Sequence, residues 1–298
     1  MTIYSQIRNN KFRTFTILII FIFLISGFFY LVGQYFESPL SFFVLGFVFS
    51  LSSGLVSYYY SDKIILFTLG AKEADKKNYF NFYTVAENLS IAAGLPMPKL
   101  YVINDPAPNA FATGRDPHHA IICATTGILQ KLDRAELEGV IAHELSHIKN
   151  YDILLMSIVS VLIGTISLVS DWLMRSFWWS GFRNEKEEKN NNPILFILFI
   201  LALILAPIAA TLIQLALSRK REYLADADGA LLTRYPEGLA RALEKISADN
   251  NFLRTATTST AHLFIINPFK NKKTINWLTN LFSTHPPIEE RIRILRSM

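Results

Sequence analysis

The sequence predicts a mainly α-helical membrane protein with a polar α+β domain built around a small antiparallel β-sheet. Three observations carry that expectation. Of the 298 residues, 51% are hydrophobic and only 18% charged, too apolar a composition for an ordinary soluble enzyme. Four apolar runs recur, at 14–32, 40–60, 153–174 and 193–217. Each is roughly 18–25 residues long, enough to cross a hydrocarbon core. Two polar blocks, 61–152 and 218–298, alternate with these runs and carry short β-rich and amphipathic helical segments. The chain thus divides into an N-terminal membrane hairpin (1–60), a first polar block, a second hairpin (153–217) and a second polar block.

The first run follows Arg8, Lys11 and Arg13 but is too long for a signal-peptide core and lacks a small-residue cleavage site, so it reads as an uncleaved anchor. The loop 33–39 carries no Lys or Arg, whereas Lys63, Lys72, Lys76 and Lys77 follow the second run. The positive-inside rule therefore places the N-terminus and both polar blocks in the cytoplasm. Arg175, Arg183, Lys186 and Lys189 in the second hairpin's loop argue against this orientation, but the first hairpin gives the clearer signal. The third run carries Ser and Thr, and a buried hydrophobic helix is its alternative reading. A net charge of +5 without a dense basic run interleaved with aromatics speaks against nucleic acid as a partner. Cys123 is the single cysteine, which excludes an intramolecular disulfide framework and reads as a small core residue.

In the first polar block, FYTVAENLSIAAG has helical spacing and ends at Gly94, with Pro96 and Pro98 preventing continuation. KLYVIND, AFATG and HAIICATTG then suggest an antiparallel meander. KLDRAELEGVIAHELSHIKN opens with Asp133 as N-cap, Glu136 closing a capping box and Leu132 stapled onto Leu137. The second block reads as three helices, REYLADADGALLT, PEGLARALEKISAD and PPIEERIRILRSM, with a loop from 250 to 284 lying over or beside a cleft.

His143 and His147 stand four apart on the predicted helix, so both imidazoles project from one face and can share one metal ion. Glu144 is turned away from the ligand positions yet close enough to take a proton from water. A catalytic zinc needs three protein ligands and an open position. Glu222 is the candidate for the third, and Asp226, one turn later, could accept the free ring N–H of a ligand histidine. His147 lies six residues before Ile153, and Glu222 five after Leu217. If the helices run straight into their spans, His147 and Glu222 each stand about 8–9 Å from the apolar boundary, at one depth. His118, His119 and His262 have no partner spacing and read as structural or solvated.

HELSH before one span, EYLAD after the next, PNAFATG upstream and THPPIEER near the end resemble the HtpX family of membrane zinc metallopeptidases, which is related to the CAAX prenyl proteases. The resemblance covers nearly the whole chain in the same order. It implies a zincin core of the gluzincin type, one Zn²⁺ per chain, and hydrolysis of misfolded or damaged membrane proteins and unfolded polypeptides at the cytoplasmic side of the bilayer. It also implies that Ala110, Phe111 and Ala112 form a strand edge for an extended substrate, with Asn109 helping to hold substrate or oxyanion. His285 and Arg291 would stabilise the negative oxygen of the tetrahedral intermediate. A catalytically silent zinc-binding membrane adaptor or chaperone is the rival reading; a structural site would be closed by a fourth Cys or His, for which no convincing spacing is evident. A transporter would place ionisable residues at mid-depth, which these runs almost entirely lack.

Overall fold

The computed structural model describes residues 3–35, 37–182, 219–268 and 286–298. Two long helices, α1 (Ile3–Tyr35) and α2 (Pro39–Thr68), form the expected N-terminal hairpin, the second opening on a proline whose missing N–H suits a first helical turn. Among the described residues three helices are long and apolar enough to cross a membrane, within Gln6–Gln34, Pro39–Thr68 and Asp152–Asp171. The expected fourth span, 193–217, lies outside the described residues.

The third span belongs to α6 (Asp152–Phe182) and is 61% buried, against 22% for each of the other two. Leu155, Ile158 and Leu162 of α6 pack with Ile17, Phe21 and Ile25 of α1 in one apolar cluster. The third run is therefore both long and apolar enough to span and the most enclosed of the three such helices described, which explains why its composition pointed two ways.

The polar part begins with a two-residue strand, β1 (Lys72–Glu73), and the helix α3 (Phe80–Ala93). Helix α3 ends at Gly94 with φ 68°, a left-handed cap that costs a glycine nothing. Strands β2 (Lys99–Ile103), β3 (Ala110–Gly114) and β4 (Ala120–Thr125) complete a four-stranded sheet of order β1-β2-β4-β3. The sheet is mixed, which corrects the antiparallel meander. Strand β4 pairs antiparallel with β3 (Phe111 opposite Cys123) but parallel with β2 (Tyr101 opposite Cys123).

The physical reason lies in the linker 104–109, where Pro106 and Pro108 lack the N–H groups of a tight hairpin. The linker is instead tied to the far end of β4. Thr125 Oγ1 donates to Ala107 O at 2.7 Å, and Gly127 N donates to Asp105 O at 3.0 Å. A Cβ at Gly127 would lie 2.0 Å from Pro106 O, so only glycine lets the linker pass. The chain thereby skips a position, and β4 enters the gap between β2 and β3.

The short helix α4 (Thr126–Lys131) leads into α5 (Arg134–Lys149), whose capping box forms as expected: Glu136 N donates to Asp133 Oδ1 and Asp133 N to Glu136 Oε2, both at 2.9 Å. Helix α5 does not continue into the membrane. It stops at Asn150, Tyr151 takes φ 60°, and α6 starts afresh at Asp152. The straight-helix estimate of ligand depth is corrected accordingly.

Helices α7 (Arg219–Thr233), α8 (Pro236–Ser247) and α9 (Ile288–Leu295) close the domain. Helices α7 and α8 pack on α5, and glycines set the distance. A Cβ on Gly139 of α5 would stand 2.6 Å from the Leu239 backbone nitrogen of α8. Alanine at this position should gain about 1 kcal/mol of helix propensity but cost about 1–3 kcal/mol or more in overpacking. Gly139→Ala is expected to lower the thermal unfolding midpoint of the purified protein, a shift readable by scanning fluorimetry.

Candidate active site

Helix α5 carries His143, Glu144 and His147, and all three are buried. Helix α7 brings Glu222 and Asp226 to the same face, and its Gly229 allows the approach: a Cβ there would lie 3.1 Å from the His143 nitrogen. The Nε2 atoms of His143 and His147 face each other at 3.2 Å. Glu222 Oε1 lies 3.5 Å from His147 Nε2, and Glu222 Oε2 lies 3.9 Å from His143 Nε2. Metal–ligand bonds of about 2.0–2.1 Å in a tetrahedral array set ligand atoms roughly 3.3 Å apart. The three side chains are therefore placed so that they could hold one metal ion, with one ligand atom from each within 4.8 Å of the others. Two ring nitrogens and a carboxylate converging in a buried space repel one another unless a proton or a metal cation lies between them, so the donor set suits a divalent metal.

Each imidazole has a carboxylate at its outer nitrogen. Asp226 Oδ1 lies 2.9 Å from His143 Nδ1, although the ring N–H is directed off that line. Asp152 Oδ2 lies 3.0 Å from His147 Nδ1 and engages it directly. The sequence offered Asp226 as the acceptor of a ligand histidine's ring N–H, and the structure puts it beside His143. Asp152 was not foreseen, because its reach depends on the Asn150–Tyr151 break that turns the start of α6 back toward α5. A carboxylate five residues after a ligand histidine, next to a helix stop, was the only signal available.

Arg291 does not face open space. Completely buried, it donates to both oxygens of Asp226, from Nε at 2.8 Å and from Nη2 at 2.7 Å. Its Nη1 donates to Ile265 O at 3.2 Å and lies 3.7 Å from Glu222 Oε2. His285 lies outside the described residues. Asn109 sits at the head of β3, where its amide donates to Ile266 O at 2.9 Å and its carbonyl accepts from Ala110 N at 3.1 Å. Along the outer edge of β3, Ile265 N donates to Ala110 O at 3.0 Å, and Ala112 N–H donates to the Glu144 carboxylate. Phe111 is turned into the core against Phe264. The strand edge thus meets the site at Ala112, while Ala110 and Asn109 are tied to the segment around Ile265. Of the other histidines, His119 contacts Asp116 at 2.8 Å, and buried His262 lies 3.2 Å from Met156 O.

Burial governs the site's protonation. It pushes the Glu144 carboxyl up to about 7, assisted by the charge of Glu222 and opposed by His147 and the Ala112 N–H. Burial lowers His143, outweighing its contact with Asp226. For His147 burial acts in the same downward direction but is overcome by the hydrogen bond to Asp152 and the charges of Glu222, Asp152 and Glu144, which raise it to about 9. Burial would raise Asp226, yet Arg291 and His143 hold it below the usual carboxylate range.

The model of peptidase family M48 matches residues 81–298, and the match takes in the whole triad. The chain belongs to peptidase family M48. It is 48% identical to a "Protease HtpX homolog" of Dictyoglomus turgidum over all of this chain and 95% of the relative. It is 45% identical to one of Tropheryma whipplei (strain Twist) over 99% of this chain and 98% of the relative. The crystal structure of S. mikatae Ste24p superposes with a TM-score of 0.51 over 98% of this chain and 67% of that one, at 21% identity, which shows a shared fold. This M48 chain is a metallopeptidase of the membrane.

Because Asp152 and the neighbouring carboxylates raise His147 to about 9, a metal binding below that pH must displace a proton from it. Metal affinity of the M48 site should therefore rise by up to about tenfold per pH unit from neutral pH toward 9 and level off above it. Chelator competition at a series of pH values reads this directly.

Proposed function

We propose that the chain is a zinc-dependent endopeptidase that cuts misfolded or damaged membrane proteins and unfolded polypeptides at the cytoplasmic face of the bacterial cytoplasmic membrane. The observation that carries this reading is the convergence of two Nε2 atoms at 3.2 Å with Glu222 beside them and Glu144 on the same helix. His143, His147 and Glu222 would hold the ion; nitrogen and carboxylate donors in a three-residue buried set suit zinc in its catalytic form. When bound, zinc lowers the pKa of a water to about 7 and polarises the scissile carbonyl.

The chain's own residues then do the proton work. Glu144, with its carboxyl near 7, can take the proton of the attacking water and hand it to the leaving amine. Asp226 and Asp152 orient the two histidines, and Arg291 keeps Asp226 ionised. Substrate in extended form would run along the β3 edge at Ala112, with Asn109 shaping the head of that edge through its bonds to Ile266. His285, in THPPIEER, is proposed as a further donor to the oxyanion. The basic residues that flank the first hairpin support a cytoplasmic site. Relatives bearing the protease name along their full length support the reaction class.

Glu144→Gln is expected to retain zinc and the unfolding midpoint while losing about 10²–10⁴-fold in peptidase rate on an unfolded substrate. Zinc analysis and cleavage assays on the same purified sample, with and without chelator, check it. Wild-type rates in a zinc-replete Glu144→Gln protein would overturn the mechanism.

A further inference from the structure

The carboxylate behind His147 has a partner that comes from far away in the chain. Asn10 lies in α1, close to the start of the first membrane span, and is only 4% exposed. Its Nδ2 donates to Asp152 Oδ1 at 2.7 Å and to Asn150 O at 2.9 Å. Its Oδ1 accepts from Arg221 Nη1 at 3.3 Å, and the same Arg221 nitrogen lies 3.3 Å from Asp152 Oδ1. The amide's orientation is settled by this arrangement. The NH₂ faces two acceptors and the carbonyl faces a guanidinium, so a flipped amide would lose every bond and oppose like groups.

The consequence for the metal site follows from which oxygen each partner takes. Asp152 Oδ2 engages His147 Nδ1, while Oδ1 is held by Asn10 and Arg221. A carboxylate fixed at one oxygen cannot rotate about its last bond, so the other oxygen stays on the imidazole N–H. That contact fixes the ring's orientation, with Nδ1 on the carboxylate and Nε2 aimed at the metal position. Asn10 also grips the carbonyl of Asn150, the residue that ends α5, and Lys11 lies over the Tyr151 ring at 4.3 Å. The N-terminal helix therefore holds the very break in the backbone that brings Asp152 to His147.

We propose that Asn10 is a positioning residue for the ligand His147, acting through Asp152, and that the N-terminal membrane helix in this way sets how tightly the site holds its metal. The proposal rests on the zinc reading above. Thr14 supplies the control. It lies one turn further along the same helix, is equally buried, and its hydroxyl bonds only to Asn10 O, within the helix.

The test uses the full-length protein in detergent and measures zinc affinity by chelator competition at one pH. Asn10→Ala, and the near-isosteric Asn10→Leu that keeps the space filled, should each weaken zinc binding about 10–100-fold, the range for removing an outer partner of a metal ligand. Thr14→Val should stay within about twofold of the unsubstituted chain, and the metal-free variants should unfold at similar temperatures. In a background of Asp152→Ala, Asn10→Ala should weaken binding no further, because its effect passes through that carboxylate. Unchanged affinity in the Asn10 variants, an equal loss in Thr14→Val, or a loss that multiplies with that of Asp152→Ala would overturn the proposal. Absence of zinc binding by the unsubstituted chain would overturn the zinc assignment itself, and this inference with it.

Discussion

Each imidazole of the site meets a buried carboxylate at its outer nitrogen, His143 beside Asp226 and His147 bonded to Asp152, and the surrounding structure follows from giving those two carboxylates partners where water cannot reach them. An unpaired carboxylate at such depth would cost several kcal/mol and would take up a proton instead. Asp226 avoids this through the two-pronged contact with Arg291, whose planar fork matches both oxygens. Asp152 is paired with Arg221 and Asn10. The two arginines come from helices at opposite ends of the second polar block, so the site closes only when both have docked.

Close helix packing is the second requirement. Gly229 lets α7 approach the backbone of α5 at His143, and Gly139 does the same for α8. Without side chains at these points, the Glu222 carboxylate can come within 3.5 Å of His147 Nε2. Asp152 is at once the first residue of the third helix stretch long and apolar enough to cross a membrane and the residue that holds a histidine.

Much of this was legible from residue types and spacing. HELSH on a helix, Glu222 with Asp226 one turn on, the capping box at Asp133 and the stop at Gly94 all rest on local rules, and the structure places these residues as those rules require. The parallel pairing of β2 with β4 was not legible, because it depends on where a proline-stiffened linker is tied, a contact between positions some twenty residues apart. Arg291 was expected to face a reacting oxygen and is instead folded onto Asp226 and Ile265. The charge alone could not say which of several carboxylates would claim it.

The sequence by itself determined the apolar runs, the helix that carries two histidines on one face, and the residue types able to hold a metal. These depend on composition and on the 3.6-residue period, which operate within a few turns of chain. Only the tertiary structure decided that Asn10, Asp152 and Arg221 meet behind His147, across separations of up to 211 residues. No periodic pattern encodes such a meeting. It arises because a buried carboxylate accepts whichever donors the packed helices bring within about 3 Å, and that is settled only once the helices have docked.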